Sequence, residues 1–121
     1  MKIVGNFDKL LGYKVVSAEG GKSEVRLEVR GELKQRFGLL HGGAIATFAD
    51  FCMGSALYSL IDDRVVTAEM NLNYIKSIDA GTLRGIGEVK RVGNKVCFAG
   101  CRIFDESNDL IATASGVYCR L

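Results

Sequence analysis

One run of residues limits what this chain can become. From Gly43 to Ile61 apolar and small side chains fall nearly all round a helical wheel, with Ile45, Phe48, Phe51, Met53 and Leu57 among the largest. A helix without a polar face is buried in a core or crosses a membrane. The run is 19 residues long, close to the shortest span a bilayer accepts. Asp50 stands near its middle, and an ionisable group there is costly in hydrocarbon. The flanking segments alternate like strands of a water-exposed sheet. The spacing therefore predicts a helix over Gly42–Ile61 enclosed by that sheet, with no membrane partner.

Asp50 is the only charge in the run. Burying a carboxylate without compensation costs several kcal/mol. It needs a hydroxyl partner or a wet interface, or else it serves in a cleft as base or nucleophile.

The rest of the chain reads as strands. Asn6–Leu11 is a short helix, with Asn6 as cap and Gly12 as stop. Tyr13–Ala18 and Ser23–Arg30 flank a Gly20-Gly21 turn, and the second run alternates Val25, Leu27, Val29 with Glu24, Arg26, Glu28. Glu32–Leu40 is a connector. After the helix come Val65–Tyr74, Thr82–Val92, Lys95–Asp105 and Leu110–Leu121, separated by turn residues. On the third strand Thr67, Glu69, Asn71 and Asn73 make a polar face. The last two strands are apolar on both faces, which places them centrally with the helix on one side and other cover on the other. Strands grouped around one helix give an α+β class with an antiparallel sheet of five to six strands.

At 121 residues the chain is the size of one domain, 1–121. Its net charge of +2 provides no polybasic surface for nucleic acid. Cys52, Cys97, Cys101 and Cys119 form no C-x-x-C pair, and four residues of strand hold Cys97 and Cys101 roughly 13 Å apart. Scattered thiols, with no apolar leader over Met1–Phe7, point to the cytoplasm. One histidine and no cysteine cluster argue against a metal site.

His41-Gly42-Gly43 opens the long helix. Amides in a first helical turn lack intrahelical acceptors, so glycines there leave N–H groups open to a ligand oxygen. The bland alternative is a sharp loop-to-helix turn with His41 as cap. Gly42 and Asp50 are eight residues apart, or about 12 Å along a helix. A base and an oxyanion donor must both reach one carbonyl. If both residues are catalytic, a two-fold copy must bring Asp50 of one chain to Gly42 of the other.

His41-Gly42-Gly43 followed by Asp50 resembles the H-G-G-x(6)-D signature of hotdog-fold acyl-CoA thioesterases of the phenylacetic-acid-degradation and 4-hydroxybenzoyl-CoA type. The likeness runs through the Gly38-Leu39-Leu40 lead-in, the Glu69–Tyr74 strand, the Gly93-Asn94-Lys95 turn and the Leu110-Ile111-Ala112 finish. It implies a hotdog domain, thioester hydrolysis without cofactor, and a homodimer or dimer of dimers. It also implies roles. Asp50 falls on the family's base or nucleophile, Gly42 on the amide that polarises the thioester carbonyl, and His41 beside that carbonyl. Gln35 falls where relatives place water or substrate, and Thr67 where a hydroxyl orients the nucleophilic water. The family's Tyr-x-Arg-Pro reads Tyr74-Ile75-Lys76-Ser77, which keeps a positive charge without the proline. CoA carries several phosphate charges. Gly43, Lys76, Lys90, Arg91 and Lys95 are the candidates to meet it, the cations being clustered near strand ends at the cleft mouth. Two other readings are a non-catalytic acyl-CoA-binding or regulatory domain, and a thioester hydratase or dehydratase. Asp50 argues against a dead site, and its place on the helix after H-G-G fits the hydratases less well.

Overall fold

A computed structural model describes residues 5–121. The reading of the leader rested on Met1–Phe7, and residues 1–4 lie outside the described part. Helix α1 is Asn6–Leu11, capped one residue earlier than expected. Gly5 is extended and its N–H donates to the Asp8 carboxylate at 2.9 Å, so the cap is Gly5 and Asn6 is already helical.

Strands β1 (Lys14–Glu19) and β2 (Lys22–Glu28) form a hairpin. A short 3-10 turn, Gly31–Leu33, leads to the long helix α2, Gly42–Tyr58. Strands β3 (Val65–Tyr74), β4 (Thr82–Val92), β5 (Val96–Phe104) and β6 (Leu110–Arg120) follow. All six join in one antiparallel sheet, ordered β1-β2-β4-β5-β6-β3. The sheet wraps around α2, and β1 and β3 are its edges.

The helix stops three residues short of the expected Ile61. Ser59 explains the early stop. Its hydroxyl donates to the Ala56 carbonyl at 2.6 Å and accepts the Gly21 N–H at 2.8 Å, tying the helix end to the β1–β2 turn. Serine hydroxyls compete in this way with the helical ladder.

Phe48, Met53 and Leu57 of α2 pack against Val25, Leu27, Leu83, Ile103 and Ile111, all fully buried. The helix lies directly on β4 because that strand is bare at Gly87. A Cβ there would fall 2.2 Å from the Cys52 carbonyl oxygen. β5 and β6 are interior strands, as expected. Their second face is less covered than expected: Phe98 is 40% exposed on it.

β3 departs from simple alternation. Thr67 pairs with Tyr118 and Glu69 with Val117, so Ala68 is an extra residue. Such a bulge reverses which side chains face inward. Val65 and Thr67 face the helix before it, and Met70 and Leu72 pack on the core after it. Thr67 therefore does not share a face with Glu69, Asn71 and Asn73.

Candidate active site

Asp50 is half-buried midway along α2, on the side facing β3 and β6. Its Oδ1 accepts two hydrogen bonds of 2.8 Å, from Thr67 Oγ1 and from the Tyr118 hydroxyl. The Tyr118 oxygen also lies 3.3 Å from the Asp50 carbonyl. The phenol has one proton, and the shorter, charge-assisted contact takes it. Among the described residues nothing donates to Oδ2. Tyr118 is 2% exposed. Burial first, and then the Asp50 charge, push its phenol far above the ordinary tyrosine range. It therefore remains a proton donor at any neutral pH.

Asp50, Thr67 and Tyr118 line one cavity of about 440 Å³. Ala46, Thr47 and Gly54 give it a low, small-residue floor along α2. Phe7, Phe51, Tyr58, Val65 and Met70 make the apolar walls, and Asp8 of α1 closes one side.

The helix start is equally ordered. His41 is the N-cap, and its Nδ1 accepts the Gly43 N–H at 2.8 Å. That bond puts the proton of the neutral ring on Nε2. The His41 carbonyl takes the N–H groups of Ala44 and Ile45. Among the described residues no acceptor meets the Gly42 N–H. Of the two glycines only Gly42 offers a free amide, and Gly43 is held by the cap. Tyr74, at the end of β3, donates to the Gly42 carbonyl at 2.8 Å and steadies the turn.

A carboxylate with one free oxygen on an apolar cavity, and one open amide at a helix start, suit attack on an activated carbonyl. Residues 37–112 match the thioesterase superfamily model. The chain belongs to the thioesterase superfamily. It is 33% identical over 103 residues to a 1,4-dihydroxy-2-naphthoyl-CoA hydrolase of Listeria monocytogenes, covering 84% of each chain. It is 32% identical over 93 residues to the Escherichia coli enzyme of the same name, covering 75% of this chain and 68% of that one. The structure of the conserved Pseudomonas aeruginosa protein PA5202 superposes with a TM-score of 0.94 at 30% identity, over 98% of this chain and 96% of that one. The PaaI protein from the E. coli phenylacetic acid degradation operon superposes with a TM-score of 0.91 at 19% identity, over 97% and 85%, and shares the fold. The six-stranded sheet around one long helix is the hotdog fold, and the superfamily match with the two named CoA hydrolases supports thioester hydrolysis in general.

The remaining expected residues are placed unevenly in this thioesterase. The side-chain oxygen of Gln35 accepts the N–H groups of Phe37 and Leu39, so it pins the loop before the helix. Its NH₂ has no acceptor among the described residues. Lys76 Nζ is paired with Asp105 at 3.1 Å and Asp109 at 2.7 Å, in the β5–β6 turn. Lys90 lies 3.7 Å from Glu88, beside Gly100 on the sheet face away from α2. Arg91 and Lys95 are exposed at the β4–β5 turn. The four cations do not form the expected cluster. Antiparallel hairpins turn at alternate ends, and the nine residues of β5 separate Lys76 from Lys95 by roughly 25 Å.

Tyr118 was missing from the sequence-based candidates. Its signal was present, because Ala112, Ala114, Gly116 and Tyr118 alternate onto the helix side of β6. A phenol pointing inward there needs a polar partner, and α2 carries one charge.

Proposed function

We propose that this chain, as a single hotdog domain, hydrolyses an acyl-CoA thioester to the free acid and CoA, at sites shared between two copies. One observation carries the reading. Asp50 is tethered through Oδ1 and keeps Oδ2 free on the cavity, while the open Gly42 amide lies about 12 Å away along the same helix. Two antiparallel helices on a two-fold axis bring each Asp50 to the other chain's Gly42. Two features support that pairing. β3 is an edge strand with one side unpaired. Gly54 faces open space, with nothing within 4 Å of where a Cβ would stand. An interior helical glycine is about 1 kcal/mol poorer than alanine, and a close second helix gives a reason for it.

In the reaction, water attacks the thioester carbon as Asp50 takes a proton from it. The carbonyl oxygen gains the charge and is held by the Gly42 N–H. The C–S bond then breaks, and the thiolate of CoA leaves with the proton returned by Asp50. Direct attack by Oδ2 to form an anhydride, then hydrolysed, uses the same groups. Thr67 and Gln35 help to place water and substrate, His41 fixes the oxyanion turn, and no metal takes part. A His-centred hydratase mechanism fits less well, since the His41 Nδ1 is committed to the cap. The aromatic walls and the names of the relatives favour an aryl acyl group. Lys76, Lys90, Arg91 and Lys95 remain the candidate phosphate contacts, divided between two ends of the sheet and so between two copies of a dimer of dimers. Four free thiols fit a reducing, cytoplasmic setting.

The test is a thiol-release screen over short, medium, long and aromatic acyl-CoAs. Turnover is expected on at least one aryl or medium-chain substrate, unchanged by EDTA. Absence of turnover across the panel, or turnover abolished by chelator, overturns the proposal.

A further inference from the structure

We infer that Tyr118 is a positioning residue for this reaction, selecting which oxygen of Asp50 does the chemistry. The inference rests on the hydrolytic reading above. A carboxylate turning about its last bond exchanges its two oxygens, and only one arrangement aims a lone pair at substrate. Here both donors converge on Oδ1, Thr67 and Tyr118 each at 2.8 Å. Turning the group would break both bonds. Oδ2 is thereby kept as the oxygen that meets water or the thioester carbon.

The two donors are not equivalent. Thr67 stands on an edge strand beside a bulge. Tyr118 lies directly across the ladder from Thr67 and is wedged in the core. Gly116 makes the room: a Cβ there would lie 2.8 Å from Tyr118 Cε1 and 3.1 Å from Met53 Cε. The phenol oxygen is thus fixed by ring packing, whereas a threonine would supply a proton without fixing its direction. Burial keeps that proton in place. Other titratable groups around the site are Asp8 of α1, Tyr58 of α2, Tyr13 just before β1 and Cys101 of β5. None of them donates a hydrogen bond to Asp50.

The test is Tyr118→Phe, which keeps the ring and removes only the hydroxyl. The melting temperature should change by a few degrees at most. kcat should fall roughly tenfold or more, as loss of a hydrogen bond to a charged group does, with KM within about twofold. The acid limb of the kcat profile should move to higher pH, because a donor to the carboxylate favours its charged form. Carbon-13 NMR of the Asp50 carboxyl should show the same upward shift. Thr67→Val removes the other donor and should give a smaller loss with the same signs. Wild-type kcat and an unchanged Asp50 titration in Tyr118→Phe overturn the inference, as does a rise in KM alone. If the wild-type protein hydrolyses no thioester, the hydrolytic reading fails first, and an unchanged carboxyl titration then removes the role of Tyr118 independently.

Discussion

Asp50 has its two oxygens in different surroundings, one bonded twice and one open. Asp50→Asn keeps the volume and an acceptor for Thr67 and Tyr118, but places an amide nitrogen where Oδ2 stood. It is expected to fold and assemble normally, by circular dichroism and size exclusion, and to lose about a hundredfold or more in kcat. Full activity would reduce Asp50 to a structural residue. That this aspartate needs polar partners was legible from the chain, because a lone charge on an apolar helix is costly. Its chief partner was not: Tyr118 is 68 residues away, and only the folded sheet brings it back. The resemblance pointed to Gly42, but the residues alone did not show that its amide stays open while that of Gly43 is taken, which depends on how the histidine ring turns.

At the level of elements, the order of two strands, one helix and four strands follows from period and turn residues. The boundaries moved where side chains intervene, as Ser59 does at the end of α2. The third strand misled for a different reason: strict alternation assumes no inserted residue, and Ala68 is one. The seat of α2 on β4 yields its own prediction. Gly87→Ala places a methyl 2.2 Å from the Cys52 carbonyl and 2.6 Å from the Ser23 hydroxyl. Backbone must shift to admit it, at a cost of about 3 kcal/mol, measurable by urea unfolding. An unperturbed midpoint would show that α2 does not rest on β4 at this glycine.

For the whole molecule, two inactive variants report on how the site is divided. Asp50→Ala removes the carboxylate, and Gly42→Pro removes the open amide at a helix position that accepts proline. Unfolded together in equal amounts and refolded, half of the dimers should be mixed, each with one intact site and one site lacking both groups. About a quarter of wild-type activity should return. Activity no higher than the parents', with mixed dimers confirmed on native gels, would show that each chain carries its own site. The all-antiparallel sheet and its one long helix were readable from the chain, whereas the separation of the basic residues required knowing which hairpin turns at which end.

The extra residue at Ala68 divides β3 into two stretches answering to different demands. Upstream, Val65 and Thr67 face the cavity; downstream, Met70 and Leu72 pack on the core, Met70 at the edge of that cavity. The strand is thus out of phase with itself by one residue, and loss of Ala68 would not simply shorten it. Either the threonine would turn to solvent or the methionine and leucine would. A lineage of such chains is therefore free to exchange side chains along this strand yet closed to changes in its length, and insertions or deletions there should be purged more strictly than substitutions.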